Sequence, residues 1–235
     1  MPGTRSPTST NRLLDGLPGR DRRRMLACCD EVELSSEHVL HTAGDPLRHV
    51  YFPIDALISL VTPLEHSFGL EVALVGDEGM VGVSSLLGVS ESPLRHLVQA
   101  SGRALRIDAL SLQRELDRGP AVRRRLNRYL YVKMHQMAQA AACARFHRVE
   151  ERLARWLLTT HDRAHSDDFR ATHVFLAHML GARRVGITKA ATSLQRRSVI
   201  HYSRGHIWIL DRSALEAGSC GCYVAAKTLY ERALG

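Results

Sequence analysis

Nowhere in the 235 residues does an apolar run approach the ~20 residues needed to cross a bilayer. The opening stretch, MPGTRSPTSTNRLLDG, has no continuous hydrophobic segment, which argues against a secretory signal. It reads as a flexible tail, and the expected compartment is the cytoplasm. Cysteine is scarce: five residues, an odd count at irregular spacing, form no disulfide framework. Cys28 and Cys29 are adjacent, and Cys143 sits alone in an alanine-rich helix. Cys220 and Cys222 could offer two soft metal ligands, but the sequence shows no matching pair to complete a tetrahedral site. The expectation is therefore structural thiols, with no metal and no cofactor.

Catalytic signatures are missing as well. There is no nucleophile elbow, P-loop, zinc-protease helix or dinucleotide fingerprint. His161 and His165 have the spacing of a helical metal site, yet no glutamate accompanies them, and they read as a polar helix end. Gly79-Met80-Val81-Gly82 lacks the third glycine of a phosphate loop. The chain is not expected to be an enzyme.

What the chain does have is charge, unevenly placed. Residues 1–120 carry 12 Lys+Arg against 16 Asp+Glu, whereas residues 121–235 carry 20 against 8. A basic half fused to a mildly acidic half points to a polyanionic partner for the second half alone.

Three patterns follow one another. From about Val39 to Asp108 the hydrophobic period is mostly two, and Gly44, Gly69, Gly76, Gly79, Gly82, Gly88 and Gly102 punctuate it. FGLEVALVG alternates Leu70, Val72 and Leu74 with Glu71 and Ala73, and RALRID sets Leu105 and Ile107 opposite Arg106. Many short strands between turns predict an antiparallel roll. From Ala121 to about Arg148 there is no glycine or proline, and one long helix is predicted. Its best seam, Leu130, Met134, Met137, Ala141 and Ala144, has the four-three spacing of a coiled-coil stripe, flanked by Arg128, Lys133, Gln136 and Gln139. A dimer helix is the expectation; a core helix packed on its own sheet is the alternative. Next, VEERLARWLLTTHDR is an amphipathic helix that turns Leu153, Trp156 and Leu157 inward. HSDDFR is read as a polar connection.

The segment LAHMLGARRVGITKAATSLQRRSVI, from Leu176 to Ile200, reads as a short helix, a break at Gly181, and a second helix with one buried face. Arg183, Arg184 and Lys189 crowd the start of that second helix, where the helix dipole disfavours cations. Local stability does not explain them; an anionic partner would. Two short strands around Arg204-Gly205 follow, completing a winged helix-turn-helix pattern.

At these residues the chain resembles the Crp–Fnr superfamily of bacterial transcription regulators. FLAHMLGARRVGIT, SLQRRSVIHYSRGHIWILDRSAL and CGCY carry the resemblance, and GDPLRHVYFP carries it loosely in the roll. It implies an α+β fold: an N-terminal cyclic-nucleotide-binding-like β-roll of jelly-roll type, a long dimerisation helix and a C-terminal winged helix-turn-helix. On the sequence this becomes a flexible tail over 1–20, a sensor roll over 21–120, the dimerisation helix over 121–148 and the DNA-binding domain over 149–235. Its implied partners are double-stranded DNA, a second copy of the chain and RNA polymerase, with no membrane.

Arg184 falls where the resemblance places a base-reading arginine, able to bond bidentately to guanine. Lys189 could reach a further base or phosphate, Arg183 and Thr188 suit phosphates, and Arg204 in the wing is another phosphate candidate. Val185 stands where relatives often carry glutamate and could make only an apolar contact. Gly186 inside the helix and Ser198, where a glycine usually ends it, depart from the pattern.

Cyclic-nucleotide binders of this kind use a glutamate for the ribose and an arginine for the phosphate. Here Met80 stands at the glutamate, beside Val81 and Gly82, and Arg95 is followed by His96. Those four residues mark the place of an effector pocket, but neither a cyclic nucleotide nor an iron–sulfur cluster is expected in it. His38, His41 and His49 read as surface strand residues and not as haem ligands. The effector stays unassigned. A different class of function, an effector-binding or protein-interaction dimer whose winged helix does not read DNA, is opposed by the basic C-terminal half.

Overall fold

The computed structural model describes residues 11–65 and 69–235. The chain begins with α1 (Arg12–Asp15) and α2 (Gly19–Ala27), followed by the strands β1 (Asp30–Leu34), β2 (Val39–His41), β3 (His49–Pro53), β4 (Leu57–Thr62), β5 (Leu70–Val75), β6 (Arg95–Ala100) and β7 (Gly102–Asp108). Then come α3 (Ala109–Arg118), the long α4 (Pro120–Phe146) and α5 (Val149–Ala164). The remainder is β8 (Asp168–Arg170), α6 (His173–Leu180), α7 (Arg184–Arg196), β9 (Ile200–Ser203), β10 (His206–Ile209), α8 (Arg212–Ala217) and α9 (Cys222–Leu234).

The roll consists of two sheets, ordered β1-β7-β3 and β2-β6-β4-β5. β7 shows why the alternation was readable: Leu105 and Ile107 are buried, while Arg106 faces out and meets Asp30 across the strand pair at 3.3 Å. β4 instead is buried on both faces from Leu57 to Val61, apolar except for Ser59, whose hydroxyl donates to Gln99 Oε1 at 2.8 Å. β5 departs from its expected alternation, with Leu70 to Ala73 all half-buried.

Several expectations need correction. The segment from Asn11 onward is not a tail: Leu13 and Leu14 are fully buried, and Asn11 donates to Pro53 O at 2.8 Å and Gly79 O at 2.9 Å. The rest of the expected tail, residues 1–10, and Phe68 lie outside the described residues. Strand structure starts at Asp30, ahead of Val39, and the extra helix α3 precedes the long one. HSDDFR contains β8, whose pairing with β10 makes the wing a three-stranded sheet. His41 is buried, its ring tilted against that of the buried His96 at 4.8 Å.

Lys133 does not flank an outer stripe. It is 1% exposed, and its Nζ lies 3.5 Å from the buried Glu78 carboxylate. Tyr129 roofs the pair: its ring lies 5.3 Å from Lys133 Nζ and its hydroxyl donates to Met80 O at 3.1 Å. A β-carbon at Gly79 would sit 2.0 Å from that hydroxyl, so only glycine fits there.

The chain divides into two compact units. One comprises the chain up to Leu60, Val75–Lys133 and Tyr230–Gly235; the other comprises Val61–Leu74 and Met134–Leu229. The division passes within β4, β5 and α4, away from the expected borders at 120 and 148. Among the described residues no helix is long and apolar enough to cross a membrane.

Candidate DNA interface

The second unit builds its core from α5, α6 and α7. Leu153, Trp156 and Leu157 of α5 are buried as expected, with the Trp156 ring edge-on to Phe169 and Phe175. α6 starts at Thr172, whose hydroxyl accepts from the Phe175 amide at 3.1 Å. It stops at Gly181, which takes the left-handed conformation at φ 55° that favours glycine. A β-carbon there would also press on Leu70 at 2.8 Å.

α7 then presents two faces. Ile187, Ala190, Ala191 and Leu194 are buried at helical spacing, which fixes the rotation of the helix about its axis. The same rotation turns Arg183, Arg184, Val185, Thr188 and Lys189 outward, all of them exposed. Arg183 is the N-cap and Arg184 the first helical residue. Among the described residues no carboxylate pairs with Arg183, Arg184 or Lys189. Three acids of this unit are engaged elsewhere: Glu150 meets Arg197, and Asp162 and Glu216 meet Arg212.

Thr188 is less free than the sequence suggests. Its hydroxyl donates to Arg184 O at 3.1 Å and lies 3.1 Å from His173 Nδ1. His173 in turn stacks on Tyr202 of β9 at 4.2 Å, and burial together with the Arg184 charge lowers its pKa. This chain of contacts supports the opening turn of α7 from behind. Gly186 has only ordinary contact for an added β-carbon, 3.8 Å from Val149, so packing does not demand glycine there.

In the wing, β9 and β10 pair from His206↔Ser203 to Ile209↔Ile200 around Arg204 and Gly205. Both turn residues have positive φ, 48° and 82°, the pattern of a tight hairpin turn, and Arg204 is exposed at its tip.

Residues 151–217 match the family model described as the Crp-like helix-turn-helix domain. This part of the chain is thus similar to a Crp-like helix-turn-helix domain. The chain as a whole has the fold of solved Crp–Fnr regulators. It is similar to the c-di-GMP-responsive global regulator CLP of Xanthomonas campestris at 16% identity and a TM-score of 0.68, over 82% of this chain and 99% of that one. FixK2 from Bradyrhizobium japonicum aligns at 14% identity and a TM-score of 0.71, over 82% and 98%. A Crp/Fnr-family regulator from Eubacterium rectale aligns at 15% and 0.69, over 88% and 96%. No curated protein matches the sequence.

Within the Crp-like domain, Ser198 is strained. It follows α7 in the left-handed region at φ 56°, where the Ser198 and Val199 amides close the helix end onto Gln195 O and Leu194 O. A non-glycine residue there costs about 1 kcal/mol. Ser198→Gly should therefore stabilise the protein by about 1 kcal/mol, read as a rise in melting temperature of about 2–4 °C. An unchanged or lower melting temperature would mean that the serine side chain stabilises this turn.

Three of the four expected effector residues are buried. Met80 and Val81 are fully buried in the core of the first unit, with Val81 bridged to Tyr51. Gly82 is buried as well, in a left-handed turn, and Arg95 is half-buried at the start of β6. A cavity of about 450 Å³ in that unit is lined instead by residues including Leu47, His49, Val89, Asp108, Leu110 and Gln113. Of the residues expected to form a dimer seam on α4, Met134 and Ala141 are exposed and Leu130, Met137 and Ala144 half-buried.

The structure adds a pair that the sequence did not show. Cys220 and Cys222 do have a matching pair: Cys143 and His147, a helical turn apart at the end of α4, bring their ligand atoms to the same place. The sequence hides this because 73 or more residues separate the two pairs.

Proposed function

We propose that the chain is a dimeric, sequence-specific DNA-binding regulator of transcription that reads a two-fold symmetric site with α7. The observation that carries this reading is the unneutralised outer face of α7. Arg183, Arg184 and Lys189 surround the helix start and meet no carboxylate among the described residues, while the opposite face is locked into the core. Such a helix matches a major groove, whose base edges and flanking phosphates supply the missing acceptors. Arg184 is the base reader, bidentate to a guanine, and Val185 contacts a thymine methyl. Arg183, Lys189 and wing Arg204 hold phosphates, and Thr188 helps to position the helix start. Two copies joined along Leu130, Met134, Met137, Ala141 and Ala144 would place two recognition helices about one DNA turn apart. RNA polymerase is the downstream partner on this reading.

The test is selection of bound duplexes from a random pool, followed by binding of the winner at several salt concentrations. A two-fold motif should emerge, and log affinity should fall with log salt at about −0.9 per phosphate contacted. Arg184→Ala should lose about 1–3 kcal/mol on the selected site and little on random DNA. Equal loss on all sequences would make Arg184 a phosphate contact. No enrichment with or without cell extract would favour the dimer that does not read DNA.

A further inference from the structure

From the side chains at the join between α4 and α9 we infer that this protein holds a zinc ion on Cys143, His147, Cys220 and Cys222. The four ligand atoms lie within 4.8 Å of one another. Cys143 lies in the last turn of α4 and His147 just beyond it, where the His147 amide donates to Cys143 O at 3.2 Å and so keeps the helical four-residue relation between the two side chains. Cys220 and Cys222 flank Gly221 at the start of α9, a turn that lets both thiols point the same way. Cys143 Sγ lies 3.6 Å from Cys220 Sγ, and Cys222 Sγ lies 3.7 Å from His147 Nδ1.

These spacings are those of a tetrahedral cage. With zinc–sulfur bonds of about 2.3 Å and zinc–nitrogen bonds of about 2.0 Å, neighbouring sulfurs sit about 3.8 Å apart and sulfur and nitrogen about 3.5 Å apart. A disulfide would need about 2.05 Å between sulfurs. The three cysteines are buried and His147 is half-buried, as in a closed structural site with no open position for substrate. Three thiolates and an imidazole are a donor set suited to zinc and not to magnesium or calcium.

Charge gives a second, independent argument. Arg152 is 7% exposed and donates to Leu180 O, and the half-buried Arg155 has an Nε with no hydrogen-bond partner among the described residues. The electrostatic neighbours of Arg152 include Cys143 and Cys220, and those of Cys143 include Arg155. Buried cations of this kind need an anion. A zinc with three thiolates carries a net charge of −1 and supplies it; three neutral thiols would not. The ion ties the end of α4 to the start of α9 within one compact unit. Its loading releases the thiol protons.

The test uses the full-length protein purified under reducing conditions. Elemental analysis should find one equivalent of zinc per chain. Cobalt exchanged for zinc should give thiolate-to-cobalt charge-transfer bands and the visible bands of a tetrahedral ion. Chelation should expose three further thiols to a thiol reagent. Cys222→Ser should lose most of the zinc and the charge-transfer intensity, while Cys28→Ser keeps both. If Cys222→Ser does not fold, the cobalt spectrum of the unmodified chain decides alone. A metal-free chain that gives no such bands with cobalt overturns the inference. So does a Cys143–Cys220 disulfide in the reduced preparation, or an iron–sulfur spectrum in place of zinc.

Discussion

Replacing Lys133 by alanine is expected to destabilise the protein by about 3–5 kcal/mol, measured by urea unfolding followed by far-ultraviolet circular dichroism. The reason is what remains. Glu78 is 6% exposed, and its second carboxylate oxygen already accepts from the Gly76 amide at 2.8 Å. Without the ammonium, that carboxylate is a buried anion that has lost its lysine partner. Tyr230, whose hydroxyl donates to Glu78 O at 2.7 Å, and Tyr129, which stacks on the ammonium, would both be disturbed. Removing the acid along with the base, as in a Lys133→Met/Glu78→Gln protein, should recover a large part of the loss, because the penalty lies in the unpaired charge. A single Lys133→Ala change costing under about 1 kcal/mol would mean that water already reaches the pair.

The buried pair also shows why sequence reading reaches some elements and not others. Periodicity found the inward residues of α5 and β7 and, in α7, Ile187, Ala191 and Leu194 but not the exposed Val185 at its start, because each of those faces is decided by a core that lies along the element itself. For the same reason Arg183, Arg184 and Lys189 could be placed outside: their neighbours at helical spacing are apolar. Lys133 had the opposite fate. A lysine beside an apolar stripe is ordinarily a solvated flank, and only a glutamate 55 residues away in the chain makes its burial possible. Asn11 is alike, because a polar residue near a terminus becomes core only through the Pro53 and Gly79 carbonyls it satisfies. The cysteine–histidine cluster failed to show for the same cause, since its members come from two distant turns. What sequence lacked in each case was a long-range polar partner, and no local pattern encodes one.

Acid should weaken the fold through His96. This imidazole sits in β6 beneath His41, with Ser92 Oγ 3.3 Å from its Nε2 and no partner for its Nδ1 among the described residues. Burial, and secondarily the neighbouring His41, push its pKa down from 6.5 to about 3. Above pH 6.5 the ring is neutral in both folded and unfolded chains, and the folded state keeps its full stability. Below that value the unfolded chain takes up a proton that the folded one refuses. Stability is therefore lost as the pH falls from 6.5 towards 3, by about 1.4 kcal/mol per unit. Two units of acidification would thus remove about 3 kcal/mol, a large share of the stability of an ordinary domain. The measurement is urea unfolding at a series of pH values, compared with His96→Leu, whose apolar side chain cannot bind a proton. The variant should show a shallower slope across this window, even if its stability at neutral pH is lower. Identical slopes would show that His96 meets water and titrates near its ordinary value, with the acid sensitivity belonging to the carboxylates instead.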